Sequence, residues 1–220
     1  MIEFVLFMLF SIIEGFGILL LMLKIYRHDT SSFYSALIVI TLSSLQSYFL
    51  REELALESIV PVIHIFIFVI FLSFIKKIPF FASLIITGLG FFIFAMIQGA
   101  IVNTFPFFSV AEIKAQPYMG YLLQLFTACI NLSIAWGLNR LKIGFVEEIS
   151  EKMRFPHERR VVGGFIIAIL IGFAFILHQR SEILNIVYYF VTALFFFVYS
   201  YLKEVMFNVG NFFEKTGNKH

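Results

Sequence analysis

Apolar runs about twenty residues long recur along this chain, and they limit its fold more than any other feature. A helix of that length spans the roughly 30 Å hydrocarbon core of a bilayer at about 1.5 Å rise per residue. Seven runs qualify: Ile2–Leu23, Phe33–Leu50, Ser58–Ile75, Phe80–Val102, Tyr118–Leu138, Val161–His178 and Ile183–Leu202. The expected fold class is therefore all-α, a polytopic membrane protein with seven transmembrane helices. Composition agrees, because only 14% of the 220 residues are charged. A soluble chain carries nearer a quarter, so this one needs the bilayer as its solvent. The first run lacks a basic leader and a small-residue cleavage site, which marks it as a retained helix and not a signal peptide. The second run is the least hydrophobic and holds Ser43, Ser44, Gln46 and Ser47. The third carries Pro61 in its first turn, where the missing N–H costs nothing.

The basic residues predict an orientation. Six of the sixteen Lys and Arg residues fall between Arg140 and Arg160, in the only long polar interruption. They are Arg140, Lys142, Lys152, Arg154, Arg159 and Arg160. With alternating spans, thirteen cations lie on one face and three on the other. Cytoplasmic loops hold the excess of Lys and Arg, so the N-terminus is expected outside and the C-terminus in the cytoplasm. Residues 1–204 then form the transmembrane domain, and 205–220 a cytoplasmic tail that starts a signalling helix. The expected location is the cell membrane of a bacterium. Within the basic loop, Leu141, Phe145, Ile149 and Met153 recur every four residues, which predicts an amphipathic helix continuing span five or lying on the bilayer. Phe145, Ile149, Met153, Lys203 and Glu204 are the candidate partner-contact residues on this side. On the other side, Asn103–Pro117 holds Phe105, Phe107 and Phe108. It reads either as an interfacial loop or as an entrance for an amphipathic ligand.

Polar side chains inside spans are costly and face the protein interior. Here they are Glu14, Gln46, His64, Gln98, Gln124 and Asn131. The expected orientation places Gln46, His64, Gln98 and Gln124 at similar depth below the outer surface. They fit either a pocket open to the outside or a set of interhelical hydrogen bonds, each of about 1 kcal/mol. Glu14 lies near mid-membrane, beside Gly15 and Gly17, which permit close helix approach. It reads either as a coupling carboxylate or as a buried neutral one. Gln124, Thr127 and Asn131 share one face of span five, the packed face. The ligand-site candidates are Gln46, His64, Gln98, Gln124 and Glu14. The lone Cys129 reads as a packing residue. No catalytic motif, metal spacing or cofactor loop occurs, so neither an enzyme nor a cofactor protein is expected. Glu147–Glu148 and His157–Glu158 fall in the cytoplasmic loop, and no ATP-binding motif accompanies them.

The closing run NIVYYFVTALFFFVYSYLKEVMFNVGNFFEK, chiefly Phe197–Met206, resembles the last span and signalling helix of the accessory-gene-regulator (Agr) type quorum-sensing receptor histidine kinases. Seven spans and an outside N-terminus are similar to their sensor domain. The resemblance implies a receptor for an extracellular peptide that passes its signal through the last helix to a cytoplasmic kinase, as a homodimer. The sequence ends at His220, before any kinase module, so a kinase is expected on a further segment or a partner. The alternative is a small multipass transporter or a substrate-binding membrane subunit. The bilayer is the remaining partner, and no nucleic acid is expected.

Overall fold

A computed structural model describes residues 2–54, 59–145, 164, 167, 169, 171–172 and 182–217. The described residues are helical with short connections and contain no strand. Lipid offers the backbone no hydrogen-bond partner, so a segment crossing it must close its own ladder. Helix α1 runs Ile2–Ile25 and α2 runs Phe33–Tyr48, prolonged by a π turn, Phe49–Glu53. Helix α3, Val60–Ile70, is prolonged by a second π turn, Phe71–Ile75. Helix α4 covers Phe80–Thr104, α5 Val110–Ala115, α6 Pro117–Leu141 and α7 Glu182–Gly217.

Among the described residues, five helices are long and apolar enough to cross a membrane: α1, α2 with its π turn as far as Arg51, α4, α6 and α7. Exposed apolar side chains fit that solvent: Ile38, Phe66, Phe74 and Trp136 each leave 60% or more of their surface outside the protein. The chain is an all-helical, multi-pass membrane protein. The expected third span is shorter than five of its peers, because Val60–Ile75 has only 16 residues, about 24 Å of rise. Pro61 does sit at its start. The expected sixth span lies outside the described residues, except for Gly164, Ile167, Ile169, Ile171 and Gly172, which are helical.

Side-chain contacts set the helix directions. Gln98 of α4 meets Glu14 of α1, and Gly90 meets Met22, so α1 and α4 are antiparallel. Gly99 and Gly88 of α4 face Ile186 and Phe196 of α7, which is therefore antiparallel to α4 as well. Tyr121 donates to the Glu3 carbonyl at one end of α6, and the Phe145 amide donates to the Ile25 carbonyl just past the other. Helices α1, α6 and α7 thus run one way and α4 the other. The core follows from this layering: Leu21 and Met22 of α1, Leu89 of α4 and Leu72 of the π turn after α3 are wholly buried in one cluster.

The ends of α1, α3 and α6 share a device. Arg27, Lys77 and Lys142 each take a left-handed backbone conformation just past a helix, with φ of 49°, 57° and 54°. At the first, the Arg27 amide donates to the Lys24 carbonyl and the His28 amide to the Leu23 carbonyl. That double bond satisfies carbonyls the helix leaves open, and the cation sits by the negative end of the helix dipole. At the last, the Ile143 amide reaches the Leu138 carbonyl, and Gly144 follows at φ 146°. A Cβ at Gly144 would lie 2.7 Å from the Ile25 carbonyl oxygen, so only glycine allows this crossing. Here the sequence expectation needs correction: α6 stops at Leu141 and does not continue through Phe145 as an amphipathic helix. Phe145 turns back instead, 92% buried, with its ring 5.3 Å from Tyr26 and 5.5 Å from Phe197. Ile149, Met153 and the rest of that pattern lie outside the described residues.

The same end ties α1 to α7. The Ser200 hydroxyl donates its one proton to the Phe196 carbonyl, at 2.8 Å. The 2.6 Å bond between Tyr26 and Ser200 therefore runs from the phenol to the Ser200 oxygen. Tyr26→Phe removes that donor and leaves Ser200 its other bond. The expected loss is about 1 kcal/mol of stability, read by titrating the detergent-solubilised protein with denaturant. Lys203 lies one turn further on and is 96% buried, its ammonium 3.4 Å from the Tyr199 hydroxyl. Glu204 beside it is half-buried. Outside the apolar layer, Lys76 donates to the Asp29 carbonyl at 2.6 Å. Hydrogen bonding from Ser31 holds the Asp29 carboxyl below its ordinary range.

The connection between α4 and α6 is more ordered than an interfacial loop. Pro106–Phe108 forms one 3-10 turn and α5 follows it. Ser109 caps α5 by accepting from the Glu112 amide at 3.3 Å, and the spacing Ser109-x-x-Glu112 is that of a capping box. Phe108 is buried, while Phe105 and Phe107 stay exposed.

Candidate functional site

A cavity of about 890 Å³ opens between α1, α2, α3, α4, α6 and α7. Its walls are mostly apolar and its size lies in the range of ligand sites. The polar groups converge from different helices, and four of the five expected ligand-site residues line it: Glu14, His64, Gln98 and Gln124. Gln46 does not. Its amide is buried elsewhere, with neither polar atom hydrogen-bonded among the described residues.

Glu14 comes from the middle of α1, where Gly15 and Gly17 let α2 and α6 close in. A Cβ on Gly15 would lie 2.6 Å from Ile40, and one on Gly17 3.3 Å from the Ala128 backbone. The Gln98 amide donates to Glu14 Oε1 at 3.2 Å. Sequence depth had set these two apart, Glu14 near mid-membrane and Gln98 near the outer end. The fold joins them.

His64 stands on α3, one turn past Pro61. Its Nε2 lies 3.3 Å from the Ser43 carbonyl oxygen, which can only accept, so Nε2 carries the proton. Nδ1 is then the acceptor of the neutral ring. Ser43, Ser44 and Ser47 put three hydroxyls of α2 on the cavity wall. These serines had registered only as a drop in hydropathy.

Arg51 was missed as a site residue, having been counted only as a lone cation of the outer side. It rides on the π turn that ends α2 and lines the cavity. The signal was available, since a single arginine one residue past a weakly hydrophobic span is within reach of that span's polar face.

Gln124 closes the set from α6. Its Oε1 is buried without a hydrogen-bond partner among the described residues. Thr127 and Asn131 lie deeper on α6 and are fully buried against neighbouring helices, as the packed face of that span requires. Cys129 is exposed on the other side, so it is not a packing residue within the described structure. No group of three His, Cys, Asp or Glu residues among the described residues could hold a metal ion.

The last wall is aromatic. Phe92 of α4 stacks on Phe196 of α7 at 6.2 Å and meets Tyr188 edge-on at 6.0 Å. The cavity thus offers a carboxylate, a guanidinium, amides and hydroxyls along one side and rings along another. Such a lining can bind an amphipathic molecule and orient it. Comparison with protein-family models, with curated proteins and with solved structures finds no match for this chain.

Proposed function

We propose that this protein is a membrane receptor that binds an amphipathic extracellular ligand, a peptide in the leading case, in the cavity between its helices. The signal leaves through α7 to a cytoplasmic kinase or regulator. One observation supports the reading: α7 lines the cavity and is also long enough to carry a change there past the membrane. Ile186, Tyr188, Tyr189 and Phe196 line the cavity, while the helix runs unbroken for 36 residues, about 54 Å. A bilayer core needs only about 30 Å, so the same rigid rod that meets a ligand projects beyond the membrane. Ligand binding signals only if it favours one helix arrangement over another, and a wall helix is where that difference arises.

The orientation belongs to this proposal. Lys24, Arg27, Lys76, Lys77, Arg140 and Lys142 stand at the ends of α1, α3 and α6. An excess of cations at that end supports a cytoplasmic location for it, with the cavity polar set nearer the outside. The Agr-type resemblance of the closing run supports the same polarity, with seven spans, a homodimer and a kinase beyond the tail. A second reading, a small solute transporter, is favoured by Glu14, an intramembrane carboxylate facing a cavity.

The test is a response assay in cells carrying the cognate reporter. Gln98→Ala and Gln124→Ala are each expected to weaken the response to peptide severalfold at unchanged surface expression. An unchanged response in both removes the cavity from the mechanism. Solute uptake that disappears in Glu14→Gln, with no peptide response in the parent, establishes the transporter instead.

A further inference from the structure

We infer that the cavity takes a ligand with an ammonium group on an apolar body, the ammonium seated between Glu14 and Gln124. The inference rests on the reading of the cavity as a binding site and names the chemistry of its occupant.

Glu14 is the only carboxylate among the described lining residues. Gln98 engages one of its oxygens through an amide N–H. Gln124 brings a buried carbonyl oxygen that no group in the described structure satisfies. Helices α1 and α6 run parallel, with Phe10 stacked on Tyr121 at 5.6 Å and Gly17 against Ala128. That register sets Glu14 and Gln124 at one level. A carboxyl with one oxygen engaged by Gln98, level with a carbonyl oxygen that is unsatisfied among the described residues, suits a group that donates and does not accept. An ammonium has three N–H donors and no acceptor. Unmatched buried acceptors cost free energy until such a donor arrives.

The aromatic wall suits the same ligand. The rings of Phe92, Tyr188, Tyr189 and Phe196 cluster with centroids about 6 Å apart. They bury an alkyl or aromatic body, and aromatic faces attract a cation. Arg51 sets a limit. It is exposed at the end of α2 and lines the same cavity, so a second cation near it is repelled. His64, with Nε2 bonded to Ser43, turns no donor toward an ammonium while neutral. The favoured ligand has one ammonium and a far end that is neutral or anionic.

The experiment uses the full chain in nanodiscs of phosphatidylcholine, with decylamine, N-acetyldecylamine and 1-decanol as probes in equilibrium dialysis at neutral pH. Empty nanodiscs supply the partition blank. Above that blank, decylamine is expected to bind at least about tenfold more tightly than its acetyl derivative or decanol. Glu14→Gln abolishes that preference, and Gln124→Leu reduces it, while Glu14→Asp keeps part of it. Equal binding of all three probes to the unaltered protein overturns the ammonium and leaves the cavity as a site. No saturable binding of any probe overturns the cavity reading itself. A preference for decylamine that survives in Glu14→Gln also overturns the inference, because the carboxylate is then not the seat. The parent comparison needs no variant, so a folding defect in Glu14→Gln does not shield the inference.

Discussion

Gly90→Leu is expected to lower the stability of the bundle by about 3 kcal/mol, at the upper end of what overpacked cores show. Gly90 sits on α4 where α1 crosses it. A Cβ there would lie 2.2 Å from Met22 Cγ and 3.1 Å from Met22 Cα. A side-chain clash alone is relieved by a rotamer change, but Met22 is fully buried and has no open direction. The second contact is to backbone, so the helices themselves must part. In lipid that separation is not offset by a hydrophobic penalty, because helix association there depends on close packing. Parting α1 from α4 also pulls Glu14 from Gln98, which lies two turns away along the same seam. Gly137→Leu is the matched control. A Cβ at Gly137 meets nothing within 4 Å among the described residues, so the stability is expected not to fall. Denaturant titration of the purified protein, followed by helical circular dichroism, distinguishes the two. Equal effects would show that helix propensity and not the seam dominates.

Much of this architecture is legible from hydropathy, because a bilayer imposes a length on each crossing. The runs at Ile2, Phe33, Phe80, Tyr118 and Ile183 all correspond to long apolar helices. Endings were less legible. The repeat of Leu141 and Phe145 suggested a helix, but the left-handed Lys142 and Gly144 end it. Nothing in the apolar spacing reports a backbone hydrogen bond to Ile25 on another helix. The polar set was legible as a set and not as a geometry. Depth counted along each span assumes that all helices start in one plane and stand equally upright. Glu14 and Gln98 break that assumption by meeting across α1 and α4. Gln46 fails for a different reason. Its neighbour Ser47 is rotated about 100° from it around the helix, so Ser43 and Ser47 face the cavity and Gln46 does not. Arg51 needed the π turn, which no local pattern announces.

Phe196→Ala is expected to cost about 3 kcal/mol and to separate ligand binding from output. The ring is 96% buried and stacks on Phe92 with an interplanar angle of 18°. It fits a notch made by Gly88, where a Cβ would lie 2.8 Å from two of the ring carbons. Truncation leaves a ring-sized void between α4 and α7, and the lining atoms lose dispersion contacts that lipid cannot replace. In the proposed signalling route the position also controls coupling. One turn along, Ser200 joins the Phe196 carbonyl to Tyr26, so movement of this part of α7 reaches the end of α1. On the other side the ring is cavity wall. Without it, a ligand gains room and loses its purchase on α7. The expected result is probe binding in dialysis within about threefold of the parent, since Glu14 is untouched, with loss of the reporter response. Phe196→Leu restores most of the volume and is expected to recover more than half of the stability and part of the response. A Phe196→Ala variant that signals normally would remove α7 as the output, and the cavity would then need another route through the bundle.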